Sequence, residues 1–206
     1  VYLGTSKPAD IWIGDLGVEV IWGRLHESDF FDTNPDNDTR FLGGLVLGFR
    51  PRPLPGLTLG VARAFSTYTD HDFGDYLTGP VRGLSSNLVF ENELASLFGR
   101  WVLPESGFEV YAEWGRDDNW QDLVDFLKEP DHSQGYMLGV QKVTSLRSDK
   151  WLRVLAELVH LQSSQTGRSG RGWVTFYTHG GVRQGHTNRG QLLGAPVGPG
   201  SDGQFI

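Results

Sequence analysis

The sequence predicts an all-β chain: an antiparallel transmembrane β-barrel of the outer-membrane type, present as a partial barrel of about eight strands with a short loop helix. Three observations predict it. Connections between strand-like runs alternate between long and short. Several runs divide charged from apolar residues at period two. No run approaches the roughly 18 apolar residues that a membrane helix needs, as expected of a barrel that crosses with strands.

In chain order, Ile11–Leu25 places Trp12, Leu16, Val18, Val20 and Trp22 on one face and Asp15 and Glu19 on the other. A long loop, His26–Arg40, leads to Phe41–Arg50. The turn "RPRPLPG" (Arg50–Gly56) carries three prolines, which cannot enter a ladder, and opens Leu57–Phe65. These two runs are apolar or Gly/Ala on both faces, apart from Arg63. The loop Ser66–Val89 precedes Phe90–Leu103, where Leu94 and Phe98 mix with Glu91, Glu93 and Arg100. "PESG" (Pro104–Gly107) ends in glycine, as a tight turn requires.

Phe108–Arg116 is the cleanest run, with Phe108, Val110, Ala112 and Trp114 against Glu109, Tyr111 and Glu113. Mid-strand carboxylates are costly against lipid or an oily core and cheap in a wet lumen. In the loop Asp117–Ser133, "NWQDLVDFLKEP" (Asn119–Pro130) repeats Trp120, Leu123, Val124 and Leu127 at helical spacing before a proline stop. Gln134–Arg147 follows, then the turn Ser148–Lys150. Trp151–Gln162 sets Leu152, Val154, Ala156 and Leu158 against Arg153 and Glu157. A medium loop, Ser163–Arg171, leads to a last run, Gly172–Tyr177. A meander puts alternate connections at opposite ends, so one end is trimmed and the other elaborated, the plan of outer-membrane barrels.

Composition fits one domain spanning 1–206, read as a fragment without the N-terminal part and closing strands. The 28 glycines sit mostly in or beside strands, where they allow bends and close approach. The 12 Phe, 7 Trp and 6 Tyr suit interfacial girdles. With no cysteine there is no disulfide framework, thiolate nucleophile or zinc–cysteine site. A net charge of −7 argues against a nucleic-acid partner.

Chemistry is sparse. No hydrolase elbow, P-loop or dinucleotide fingerprint occurs, and the six histidines are scattered without a zinc spacing. Asp32, Asn34, Asp36 and Asp38 imitate the opening of a calcium loop, but Asn37 and Gly43 stand where that loop needs Gly and Glu. Glu109 and Glu113 lie about 13 Å apart along one strand face. That exceeds the roughly 5–9.5 Å of paired glycosidase carboxylates. The reading is a non-enzymatic chain without cofactor or metal.

The terminal block "WVTFYTHGGVRQGHTNRGQLLGAPVGPGSDGQ" (Trp173–Gln204) concentrates Tyr177, His179, Arg183, Gln184, His186, Thr187, Asn188 and Arg189 among glycines. Aromatic, amide and guanidinium groups of this kind suit sugars. The alternative is an irregular polar segment packed inside the lumen against the wall's carboxylates. Within it, "YTH" (Tyr177–His179), "QGHTNRGQ" (Gln184–Gln191) and "LGAPVGPGSD" (Leu193–Asp202) resemble the capsule assembly protein family Wzi. "NELASLFGRW" (Asn92–Trp101), "YAEWGRDD" (Tyr111–Asp118) and "LKEPDHSQGYMLGVQK" (Leu127–Lys142) resemble the same family in the same order.

The resemblance implies an outer-membrane barrel of more than eight strands, acting at the cell surface as a lectin-like protein that holds capsular polysaccharide. The chain departs from it at His186, where a tyrosine is expected. The partners so implied are capsular or other surface polysaccharide and outer-membrane lipid, with the protein a monomer. The candidate ligand-binding residues are Trp120, Tyr177, His179, Arg183, His186 and Arg189. Two other functions fit the pattern. A charged lumen suits a diffusion channel, and plentiful aromatics and carboxylates suit a soluble glycan-active β-protein.

Overall fold

A computed structural model describes residues 1–29, 31–69, 73–79, 92–117, 134–147, 149–162, 177, 182, 184–194 and 203–205. Seven long strands form its body: β3 (Gly14–His26), β4 (Thr39–Pro51), β5 (Leu57–Tyr68), β6 (Asn92–Leu103), β7 (Phe108–Asp117), β8 (Gln134–Arg147) and β9 (Lys150–Gln162). Shorter strands flank them: β1 (Tyr2–Gly4), β2 (Ala9–Asp10) and β12 (Gly203–Phe205). A separate hairpin is formed by β10 (Thr187–Asn188) and β11 (Gln191–Leu192). All pairings are antiparallel, and the ten-stranded sheet runs β1-β3-β4-β5-β6-β7-β8-β9-β12, with β2 beside β3.

Seven expected runs coincide with β3–β9 to within a few residues. The expected strand Gly172–Tyr177, apart from Tyr177, and the expected helix in Asn119–Pro130 lie outside the described residues. A six-residue helix, α1 (Phe73–Thr78), stands in the β5–β6 connection, where the sequence pattern reads as plain loop. Strands β1, β2 and β12 span two or three residues each, too short for a period-two signature.

The tight turns follow from their residues. Pro104–Ser106 makes one 3-10 turn, closed by Gly107 at φ 63°, whose amide donates to the Pro104 carbonyl at 3.0 Å. The Gly107 carbonyl then accepts from Val143 at 2.8 Å, joining the turn to β8. A Cβ at Gly107 would strike the Val143 carbonyl, so the left-handed backbone and the close approach both call for glycine.

Register assigns each side chain to a face. The row Ala62, Ser96, Gly115, Gly135 and Leu161 lies on the face, here called inner, against which Tyr177 and Leu192 pack. The inner face also bears Glu19, Arg100, Glu109, Tyr111, Glu113, Arg153 and Glu157. The outer face bears Leu47, Leu59, Val61, Leu97, Val110, Leu138, Val140, Val154 and Leu158. The expected division of β7 and β9 is therefore correct, and so is that of β3 from Asp15 onward. Trp12, expected on its apolar face, precedes the strand in a left-handed bend at φ 39° and belongs to neither face.

The division runs opposite to that of a soluble single-layer sheet. Outer Leu59, Leu97, Leu138, Val154 and Leu158 are 45–55% exposed, whereas the buried cluster Val159, Leu161 and Tyr177 lies on the inner side, with Leu94, Met137 and Leu192 around it. Aromatic rings edge the outer apolar band. Phe49, Trp101 and Phe108 lie toward the short turns, and Trp22, Phe41, Trp114 and Tyr136 toward the long loops. Along β4, Phe41 and Phe49 are separated by about 27 Å of extended chain. Their polar tips reach the rims: Trp101 Nε1 donates to the Pro55 carbonyl at 3.3 Å, and Trp114 Nε1 to Gln134 Oε1 at 2.8 Å.

Candidate functional site

The long-loop ends of the strands hold a layer of buried polar residues: Arg40 on β4, Ser66 on β5, Asn92 on β6, Asp117 on β7 and Gln134 on β8. Burying polar groups is costly without partners. The returning segment supplies them at Arg40, which is fully buried. Its guanidinium donates to the Gly185 carbonyl, to the Thr187 carbonyl at 2.9 Å and to Gln184 Oε1 at 3.3 Å.

The segment is shaped by its own sequence. Arg189 (φ 50°) and Gly190 (φ 77°) are the two central residues of the β10–β11 turn, and two successive positive φ values make the primed turn that matches strand twist. The hairpin is tied to the end of β3, where Asn188 Oδ1 accepts from the His26 amide at 3.0 Å and the Arg189 amide donates to the His26 carbonyl at 2.8 Å. Beneath it, the His186 amide donates to the Tyr177 carbonyl at 2.9 Å, and the Leu193 amide to the His186 carbonyl at 2.9 Å.

The structure thus brings Tyr177, His186 and Arg189 into one unit with different roles. Tyr177 and His186 are 4% and 2% exposed, so they hold the segment down and present no open ring face. Arg189 is exposed at the hairpin tip. Trp120, His179 and Arg183 lie outside the described residues. Among residues 177, 182 and 184–194 the segment packs on the inner face, as the expected alternative has it. The contact described, however, is a sheet arginine bound to the segment's carbonyls and amide, not segment charges offset by carboxylates of the sheet. The segment's chief anchor, Arg40, belongs to β4 and is not among the candidate residues. The available signal was an arginine at the start of an otherwise apolar run.

The acidic loop after β3 resolves into turns. Asp32 Oδ1 accepts from the Asn34 amide at 2.7 Å, and Asn34 Oδ1 from the Asp36 amide at 3.2 Å, capping a 3-10 turn at Pro35–Asn37. The alternate acids and amides that imitate a calcium loop are Asx-turn residues. Among the described residues no group of His, Cys, Asp and Glu is arranged to hold a metal.

Glu27 is buried at the base of this loop. Burial raises its pKa from 4.5, as do the negative charges of Asp32 and Asp38; the Asp32 amide and Arg40 offset this in part. A raised carboxyl pKa means that the folded state holds the proton more tightly than the unfolded one. Stability is therefore lost as pH rises from about 4.5 through the folded pKa, and stays lost above it. Glu27→Gln is expected to tighten the loop at pH 7. Exchange of the residue-27 amide, which donates to the Asp38 carbonyl at 2.8 Å, should be slower than in the parent at pH 7 and equal to it near pH 4.

On the outer side of the same rim, Arg63 pairs with Glu93, the two side chains being 12% and 10% exposed. Arg63 also donates to the Gly79 carbonyl at 3.1 Å, and Trp22 Nε1 to the Leu77 carbonyl at 3.3 Å. The end of α1 is thereby held against the outer wall at its aromatic edge.

Comparison of the chain with protein-family models, with curated proteins and with solved structures found no match in any of the three. Among the described residues no helix is long and apolar enough to cross a membrane, which says nothing of strands.

Proposed function

We propose that the chain forms part of the wall of an outer-membrane β-barrel whose long-loop end binds surface polysaccharide, as the motif resemblance to the Wzi family implies. On this reading the protein is a monomeric, non-enzymatic binder. The observation that carries it is the reversed polarity of the sheet: an exposed apolar outer face edged by aromatic rings, against an inner face lined with charges. Lipid is the solvent that such a face fits. The hairpin then gives the long-loop end a ligand-facing cation, since Arg189 stands clear at its tip while Arg40 and Tyr177 fix it from below.

The packed segment favours binding over a diffusion channel. Its described residues Tyr177 and Leu192 pack with inner-face residues of β6, β8 and β9, and Gln184, Gly185 and Thr187 bind Arg40 of β4. The deciding test is retention of polysaccharide in a deletion strain carrying plasmid-borne variants. Loss of the gene should shed polysaccharide to the medium. Arg189→Ala should weaken binding of the purified protein to acidic polysaccharide by roughly tenfold, the loss of one charge-assisted hydrogen bond. Arg183→Ala, from the same block, is expected to act likewise. Unchanged surface polysaccharide after deletion would refute the proposal.

A further inference from the structure

A cavity of about 380 Å³ opens on the inner wall, toward the short-turn side of the returning segment. It adjoins the larger, mostly apolar cavity of about 460 Å³ that Tyr177, Leu161 and Leu193 help to line, and Glu113 and Met137 line both. Its size falls in the range of small-ligand sites.

Two aromatic rings form its floor. Phe98 stands directly opposite Gly60 and Tyr111 directly opposite Gly139. A Cβ at either glycine would collide with the facing ring. Each ring therefore occupies the space over a glycine of the neighbouring strand, where no side chain intervenes, and both rings line the cavity.

The polar groups around the rings offer donors and acceptors together. Arg100 and Glu109 clasp each other through two bonds, Nε–Oε1 at 2.7 Å and Nη2–Oε2 at 2.9 Å, and so cancel as charges. Arg153 gives Nε to Gln141 Oε1 at 2.7 Å and keeps its terminal amino groups for another partner. The Glu113 side chain, directly opposite Phe98, makes no hydrogen bond among the described residues.

This combination selects by elimination. An apolar ligand would strip water from Glu113 and Arg153 without replacing it. An anion would meet Glu113 and a cation would meet Arg153. A neutral polyhydroxylated ring satisfies all of them: its C–H face lies on an aromatic ring while its hydroxyls donate to the carboxylate and accept from the guanidinium. We propose that this cavity binds a neutral saccharide unit. The inference rests on the same reading of the inner face as water-facing, and takes the ligand class of the loop end at a different set of residues.

The test is saturation-transfer NMR on the full chain in a sugar-free zwitterionic detergent, with maltotetraose, cellotetraose and chitotetraose as probes. At least one should give saturable transfer, and Phe98→Leu or Glu113→Gln should weaken it at least tenfold. Phe98→Leu keeps apolar bulk while removing the flat face, and heat-modifiable gel migration confirms that each variant is folded. Tetragalacturonate should bind more weakly than the best neutral probe. No saturable transfer from any of the three, indifference to both substitutions, or preference for the acidic probe would each overturn the proposal. Arg189→Ala should leave this binding intact. Neutral-probe binding that survives when the surface-retention test fails would separate the two sites.

Discussion

Leu138→Arg is expected, on the proposed membrane reading, to destabilise the bilayer-folded protein by about 2–4 kcal/mol, the cost of a cation on a lipid-facing surface near the midplane. Leu138 lies in the middle of the outer face, level with Ala112 and Leu158, and is 51% exposed. On a protein surface in water, a substitution at so open a site changes stability by no more than about 0.5 kcal/mol. The two solvents thus predict outcomes that differ several-fold. Leu155→Arg is the matched control. Leu155 sits directly opposite Gln141 on the inner face and is 40% exposed, so an arginine there enters water beside Glu157. It should cost less than about 1 kcal/mol under either reading. The measurement is reversible unfolding in lipid vesicles, followed by tryptophan fluorescence. Equal, small effects for the two variants would mean that the outer face meets water, and the membrane reading would fall.

The wall was legible because strands announce faces. Glu109, Tyr111 and Glu113 against Val110, Ala112 and Trp114 fix both the period and the side that must be wet, and the structure keeps that division. In the middle of β4 and β5 the inner positions are Gly44, Val46, Gly48, Gly60, Ala62 and Ala64, small residues that carry no polarity, so pattern alone could not assign them a side. Pairing with β3 and β6 does so. The aromatic floor was hidden for a related reason. Phe98 over Gly60 and Tyr111 over Gly139 are cross-strand relations, and register cannot be read from one strand at a time.

The site was less legible than the wall. Tyr177 and His186 were chosen for chemistry that suits sugars, yet the same residue types serve well as buried supports when backbone bonds pin them. The anchoring role of Arg40 carries no signal in the sequence because its partners are the Gly185 and Thr187 carbonyls, far along the chain, and carbonyls leave no trace in side-chain composition.

Arg40→Ala should release the β10–β11 hairpin while leaving the sheet intact. The guanidinium is fully buried and makes three bonds to the returning segment. Truncation removes them and leaves the Gly185 and Thr187 carbonyls without that donor. It also withdraws the positive charge that eases Glu27. Hydrogen bonds to a charged group contribute about 1.5–3 kcal/mol each, and breaking a buried charged contact costs about 3–5 kcal/mol. At about 3 kcal/mol, exchange of the Arg189 amide with solvent should accelerate more than a hundredfold, because that amide is protected only while it donates to the His26 carbonyl. Trypsin cleavage after Arg189 should rise in step. Amides within the β5–β8 ladders should keep their protection, since none depends on this contact. Arg40→Lys should recover only part of the effect, because an ammonium cannot span three acceptors in one plane. Hairpin amides as protected in Arg40→Ala as in the parent would show that the segment is held by other contacts. If the hairpin is instead released, the proposed polysaccharide binding should fall as far as in Arg189→Ala, because Arg40 lies beneath the surface and acts only by holding the hairpin. A buried residue with the same effect on affinity as an exposed one is what positioning, rather than contact, predicts.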